Sequence, residues 1–332
     1  MVIWKVVNDE SAWTAALKEY GSSQHYMQTW GWGEHRSHFG WLPFRCVAHQ
    51  DDNQSAALVQ FLLRRLPGGT AGIVWIPGGP IGKVEFWGGS LLKAVKDITG
   101  LKHIVLKMNW LRNYCSEDKL TLEQYGWKRT SRPLSSGLSM LWDISSNDEV
   151  RRALTTSNWR HNLKRSNKYE LKVECWTTPD AQEIANLYGE MEHLKGLPVQ
   201  LSKLSASSIL GTIGQNLLIV RCLDSTGSII ALRACVILEE QAWDLMAAAG
   251  KDARKVYASY KTLWTLVEEC SKRGVKTFDL AGIDPEKNKG VWNFKRGTGA
   301  QPIEYMGEWE TSTSEVLRIS VNLAIRIRGT GQ

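Results

Sequence analysis

The sequence predicts a mixed α/β protein in which one strand-and-helix unit is used twice, and two observations carry that prediction. The order of patterns repeats: each half offers two strands joined by a turn, a third strand, a helix and a fourth strand. The spacing repeats as well. Arg45-Cys46 and Arg221-Cys222 open the two hairpins, and Gly79 and Gly250 end the third strands 34 and 29 residues after those arginines. The fourth strands begin at His103 and Lys276, another 24 and 26 residues on. Identity between the halves is negligible, so the repeat is one of pattern, and 332 residues suit two domains of ordinary size.

Taken in order, "VIWKVV" reads as a strand and "NDESAWTAALKEYG" as a capped helix ended by Gly21. "YMQTWGWGEHRSHFG" has a helical core that Gly31 and Gly33 weaken. "PFRCVAHQ", the turn "DDNQ" and "SAALVQFLLRRL" make a hairpin, and "GIVWIPGGPIG" a strand running into a Pro/Gly loop. "EFWGGSLLKAVKDITG" reads as one helix and "KHIVLKM" as the next strand. "SSGLSMLWDISSNDEV" supplies a strand and a helix cap at Ser146 or Asn147. A basic helix follows, with Arg160, Lys164 and Lys168 four apart on one face. The second hairpin is "NLLIVRCLD-STG-SIIALRACVILEE", the third strand "AWDLMAAAG", and the long helix "ARKVYASYKTLWTLVEECSKRG" has apolar residues near a 3.6 period. "VKTFDLAG" and "PIEYMGEWE" are strands, and between them stands "VWNFKRGTGA". The boundaries are set at 1–145, 146–310 and a C-terminal segment 311–332 packing back on the first domain.

Composition narrows the function. No stretch approaches the roughly 20 apolar residues of a bilayer span, and "MVIWKVVNDE" lacks a signal-peptide pattern, so the chain is expected to be soluble and cytoplasmic. Six scattered cysteines without CxxC pairs read as buried thiols rather than zinc ligands or disulfides. A net charge of +7 permits a polyanionic partner without requiring one. There is no recognition-helix, RNA-binding aromatic or zinc-finger pattern, which excludes sequence-specific DNA reading. The sixteen tryptophans are core residues in the main, although Trp30, Trp32 and Trp41 crowd a Gly- and His-rich segment suited to a sugar or nucleotide. The histidines lack a partnered nucleophile, so no covalent intermediate is indicated.

"VWNFKRGTGA" places Lys295 and Arg296 after Trp292 and Phe294 and among Gly297 and Gly299. A plain turn needs the glycines but not the cations; a site that meets developing negative charge uses both. Asp279 and Asp284 flank it as candidate proton acceptors, Asp279 being equally suited to a structural role at a strand end.

Three segments resemble the FemABX peptidyltransferases, whose folds are two tandem GNAT (acyl-CoA N-acyltransferase-like) domains. "QTWGWGEHR" is similar to the signature Gln-x-x-x-Trp-Gly-x-x-Lys, through Gln28, Trp32 and Arg36. "WRHNLKRSNKYELKVE" resembles the basic helix and strand. "FDLAGIDPEKNKGVWNFKRGTGAQPIEYMGEWE" resembles the strand-end Asp, the glycine loop with Phe-Lys-x-x-Phe-Gly, and the closing strand. Arg36 replaces Lys, Thr298 replaces Phe, and the long helical hairpin inserted in some members is missing. The resemblance implies transfer of an amino acid from aminoacyl-tRNA to an amine of a UDP- or lipid-linked muropeptide, with no resident cofactor. It implies that Lys295 and Asp279 are catalytic, and that Arg36, Gln28, Trp32, Phe294, Arg296, Arg160 and Lys164 bind substrate.

Two alternatives remain at this level. One is acyl-CoA-dependent N-acylation of an amino sugar of a surface polysaccharide, but "AAAGKDARKVYASY" lacks the paired glycines of a pyrophosphate turn. The other is a non-catalytic polyanion-binding protein using the basic stripe. The C-terminal "TSEVLRISVNLAIRIRGTGQ" is amphipathic and basic, which suits peripheral contact with the inner membrane surface.

Overall fold

A computed structural model describes residues 2–21, 24–50, 55–131 and 133–328. The expected turn at 51–54 and the last four residues lie outside these. Contacts divide the chain into one unit of Met1–Gly137 with Glu304–Gly331, and a second of Leu138–Ile303.

The first unit runs β1 (Ile3–Val6), α1 (Glu10–Lys18), α2 (Trp30–Ser37), β2 (Leu42–His49), β3 (Ser55–Arg65), β4 (Ala71–Pro77), β5 (Ile81–Gly82), α3 (Val84–Trp87), α4 (Leu91–Thr99), β6 (His103–Asn113), α5 (Ser116–Gln124) and β7 (Lys128–Arg129). The second runs β8 (Leu138–Asp143), α6 (Asp148–Leu154), α7 (Ser157–Ser166), β9 (Lys172–Cys175), α8 (Ala181–Lys195), α9 (Lys203–Ile213), β10 (Leu217–Leu223), β11 (Ile229–Leu238), β12 (Gln241–Ala249), α10 (Ala258–Lys272), β13 (Thr277–Asp279) and α11 (Lys289–Arg296). Strand β14 (Gln301–Ser312) and helix α12 (Glu315–Arg328) then return to the first unit.

The repeat is visible in the sheets. In the first unit the order is β1-β2-β3-β4-β6-β14, with β4 and β6 parallel and the other neighbours antiparallel. In the second it is β9-β10-β11-β12-β13-β8, with β12 and β13 parallel. Each unit is therefore a meander, a helical crossover (α4 or α10) and a parallel strand, closed by one antiparallel strand. The closing strands are exchanged: β8 follows the first unit in the chain but belongs to the second sheet, and β14 does the reverse. That exchange puts the divisions at 137/138 and 303/304, where the sequence suggests 145/146 and 310/311.

Tryptophan stacking explains much of the composition. Trp87 meets Trp110 and Trp127 edge to face, at 5.0 and 5.9 Å, in the first core. Trp264 lies between Trp142 and Trp159, at 6.0 and 5.6 Å, in the second. Such pairs add to the large apolar area each ring removes from water. Helix α12 docks by polar contacts: Arg318 Nη1 and Asn322 Nδ2 both donate to Glu310 Oε1, at 2.6 and 2.9 Å. Lys107 Nζ pairs with Glu310 Oε2 at 2.5 Å and donates to Asn322 at 2.7 Å.

Three local expectations are corrected. "EFWGGSLLKAVKDITG" is two helices, broken at Gly88-Gly89, where a Cβ would stand 2.6 and 2.9 Å from the Tyr125 ring. Helix α10 starts at Ala258, because residues 250–257 form tight turns ending in Tyr257 at φ 58°. Helices α8 and α9, packed on one another, fill the stretch between the basic helix and the second hairpin, which the periodicity had not assigned.

Candidate active site

"VWNFKR" is helical, not a glycine loop. Asp284 caps the preceding turn, accepting from Glu286 N and Lys287 N at 3.1 and 2.8 Å, and the Asn288 side chain starts α11 by accepting from Val291 N at 3.3 Å. Trp292 and Phe294 pack on the second core, while Lys295 turns inward and is only 7% exposed. The glycines that follow serve the fold. A Cβ on Gly297 would lie 2.7 Å from Trp159 Cδ1, and one on Gly299, at φ 90°, would lie 2.8 Å from the Leu154 carbonyl oxygen. They admit the α6–α7 connection, which Thr156 N fastens by donating to Gly297 O at 2.9 Å.

Lys295 Nζ donates to the carbonyl oxygens of Ala281 and Gly282, at 3.1 and 2.8 Å. These lie on the turn leaving β13, where Ala281 takes φ 61°. Asp279 builds that turn: its Oδ1 accepts from Ala281 N at 2.8 Å and from the Ser139 hydroxyl. Burial lowers the Lys295 pKa to about 8; the Asp244 and Asp279 carboxylates oppose the shift, and Arg233 adds to it.

Arg233 and Asp244 complete the charged cluster. They form a bidentate pair across β11 and β12, Nε to Oδ1 at 2.9 Å and Nη2 to Oδ2 at 2.6 Å, and both side chains are buried. The Arg233 guanidinium lies 5.7 Å from the Phe294 ring centre, which seats α11 against the pair. Sequence reasoning missed both residues. The available signal was a single charge within each apolar strand, "IIALRACVIL" and "QAWDLMAAA".

The cluster lies where two parallel strands part. β12 pairs with β13 only at Gln241↔Thr277, Ala242↔Phe278 and Trp243↔Asp279, yet β12 runs on to Ala249. On this free stretch the Tyr188 hydroxyl accepts from Ala247 N at 2.9 Å, and burial raises its pKa. In the first unit β4 and β6 remain paired from Ala71↔His103 to Pro77↔Asn109, and Gly78 N adds a further bond to Asn109 O at 2.9 Å.

The remaining candidates fall in several places. Arg296 is exposed at a hollow of about 270 Å³ lined also by Trp292, Gly299, Ala300, Gln301 and Pro302. Arg160 is not part of an open basic stripe: its Nη1 donates to the carbonyls of Arg152 (3.2 Å), Ala153 (2.9 Å) and Thr155, capping the end of α6. Lys164 is exposed on α7, and Lys168 lies beyond the end of that helix, which stops at Ser166. In the first unit Arg36 is half-buried on α2, 5.9 Å from the Phe39 ring, with its pKa lowered by burial and then by Arg64. Trp32 packs between Tyr26 and His35, whose imidazole burial lowers to about 4. Gln28 is fully buried and its amide is used on backbone: Nε2 donates to Gln60 O and Pro77 O at 3.0 and 2.8 Å, and Oε1 accepts from Gln60 N at 2.7 Å. It braces β3 and β4.

Solved structures of known proteins share this fold. FemX superposes with a TM-score of 0.83 at 15% identity, over 97% of this chain and all of its own. L-PGS from Bacillus licheniformis gives 0.58 at 14% identity, over 96% of each chain. A tandem GNAT protein from the clavulanic acid biosynthesis pathway gives 0.58 at 11%, over 95% of this chain and 99% of that one. No curated protein matches by sequence. These structural likenesses define the fold, two tandem GNAT-like units. Residues 219–324, which run from β10 through most of α12 and include the whole charged cluster of Arg233, Asp244, Asp279 and Lys295, match the model of the FemAB family.

Proposed function

We propose that the protein is an aminoacyltransferase that passes an amino acid from aminoacyl-tRNA directly to an amine of a peptidoglycan precursor. The observation that carries this is Lys295, a buried cation held by two carbonyls where β12 and β13 part. The amine nitrogen attacks the ester carbonyl, an oxyanion forms, the C–O bond to the ribose breaks, and the proton leaving the nitrogen ends on the departing hydroxyl. An ammonium has three donors, and two of those on Lys295 go to Ala281 and Gly282. The third is directed to the oxyanion, a role worth about 3–4 kcal/mol for one fixed donor. Asp279 acts as a positioning residue, since its Oδ1 fixes the turn that holds Lys295. Phe294 seats the helix, and Arg296, Lys164 and Arg36 supply exposed or half-buried cations for phosphate.

An aminoacyl-tRNA donor is favoured over acyl-CoA by the turn before α10. GNAT-type pyrophosphate binding needs free N–H groups there. Those of Lys251, Ala253, Lys255, Tyr257 and Ala258 are already donated, to the Glu190 carboxylate and to the carbonyls of Gly250, Asp252, Arg254 and Ala253. The test is a donor screen with purified protein, charged tRNAs or acyl-CoA, and UDP-linked or lipid-linked muropeptides or amino sugars as acceptors. Labelled amino acid moving from tRNA to muropeptide is the expected result. Thiol release from acyl-CoA with an amino sugar, and no transfer from tRNA, would establish N-acylation instead.

A further inference from the structure

Helix α12 is amphipathic in the inverted sense. Its polar residues Arg318 and Asn322 face inward onto Glu310 and Lys107, while Val316, Ile319 and Leu323 face out at 75%, 60% and 50% exposure. At i, i+3 and i+7 these three form one stripe. Ser320 and Ala324, also exposed, extend it, so the outward arc formed by these residues carries no charge. An uncovered stripe of this kind marks an interaction surface.

Size and charge identify the occupant. A stable protein interface buries about 1,200–2,000 Å² in all, far more than three aliphatic side chains on one helix supply. A helix lying in a bilayer interface needs only such a stripe, flanked by cations. The sole carboxylate of α12, Glu315, is neutralised by Lys128 at 2.9 Å and Arg318 at 2.8 Å. Residues 316–332 include no acidic side chain and three arginines, Arg318, Arg326 and Arg328. We propose that α12 docks the protein on an anionic phospholipid surface, with Val316, Ile319 and Leu323 inserted at the level of the headgroups and the basic sequence 316–332 favouring anionic over neutral lipid. This docking does not rest on the donor or acceptor assigned above, because binding to lipid requires neither.

Flotation of the full chain with phosphatidylglycerol-containing vesicles tests it. The protein should float with these vesicles, more weakly with pure phosphatidylcholine, and less as salt is raised. The double variant Ile319→Asp/Leu323→Asp should lower the partition coefficient at least tenfold with little change in melting temperature, since both side chains are already in water. Ile319→Ser/Leu323→Ser serves if the acidic pair perturbs folding, and should still give a loss of several-fold. Arg326→Gln/Arg328→Gln should reduce binding to anionic vesicles but not to neutral ones. Absence of flotation by the wild type, or equal flotation by the stripe variants, overturns the proposal. So does a dimer in sedimentation that Ile319→Asp dissociates while lipid is ignored, which would assign the stripe to a second copy of the chain.

Discussion

Replacing Lys295 by methionine separates a catalytic cation from a structural one, because the two roles predict opposite balances of activity and stability. Loss of one fixed oxyanion donor costs about 3–4 kcal/mol in the transition state, so kcat should fall roughly 100- to 1,000-fold. Stability should change little. The fall of the Lys295 pKa from 10.5 to about 8 means that holding its charge in the folded protein costs roughly 3 kcal/mol at neutral pH. Methionine removes that cost but leaves two carbonyls without their donor, at about 1–3 kcal/mol. The net effect at pH 7 should lie within about 2 kcal/mol of wild type. The pH dependence has a definite sign. Between pH 8 and 10.5 the unfolded lysine keeps a proton that the folded one has lost, so wild-type stability should rise through that window relative to Lys295→Met. Activity should fall over the same range, since only the protonated amine stabilises an oxyanion. Urea unfolding at pH 7 and pH 10, with single-turnover transfer at each pH, measures all of this. Full activity in Lys295→Met, or a variant that unfolds readily and shows no pH-dependent difference from wild type, would refute the reasoning.

Other substitutions test the surroundings. Gly299→Ala should cost about 1–3 kcal/mol, read as a lower urea midpoint, because it combines a φ of 90° with a contact of 2.8 Å to the Leu154 carbonyl. Gln28→Ala should cost about 2–4 kcal/mol and leave KM for the muropeptide unchanged in the protein that remains folded, since its three hydrogen bonds go to backbone. Arg233→Leu strands Asp244 as a buried carboxylate and should cost about 3–5 kcal/mol, with partial recovery in Arg233→Leu/Asp244→Leu. Arg160→Ala should lower the melting temperature through loss of the α6 cap without altering the salt dependence of the proposed tRNA binding, whereas Lys164→Glu should weaken that proposed binding and flatten its salt slope.

The parts of this fold legible in the sequence are those fixed by short-range periodicity. The hairpins, the third strands and the long helix α10 all follow from alternation or a 3.6 period ending in a turn residue. What escaped was set by contacts distant in the chain. Gly88-Gly89 break a helix because Tyr125 packs on them, and Gly297 and Gly299 are required by Trp159 and Leu154, so no local pattern reveals their purpose. The neighbours of Lys295 in sequence single it out as a candidate but do not reveal its setting: an amphipathic octapeptide capped by Asn288 reads as a loop when flanked by glycines. Arg233 and Asp244 were invisible singly. Each is one charge in an apolar strand, and only the bulged register of β11 and β12 makes them a pair.

The two units share one strand pattern, and their parallel ladders differ in a way that bears on where Arg233, Asp244, Asp279 and Lys295 gather. A parallel ladder that continues to the strand ends leaves no gap for a ligand; one that stops early exposes backbone on the side from which the partner has turned away. In the first unit the ladder β4–β6 holds for seven residue pairs, and the amide of Gln28 and the indole of Trp110, which donates to Pro80 O at 2.9 Å, secure its end. In the second it holds for three, and β13 then turns on Asp279 to present two carbonyls to Lys295. Gln28 in the first unit and Lys295 in the second thus play unlike parts: the glutamine closes its sheet, and the lysine occupies the opening of the other. A buried cation is costly, and with its pKa lowered by burial to about 8 the lysine still keeps its charge at neutral pH, as a donor to an oxyanion requires.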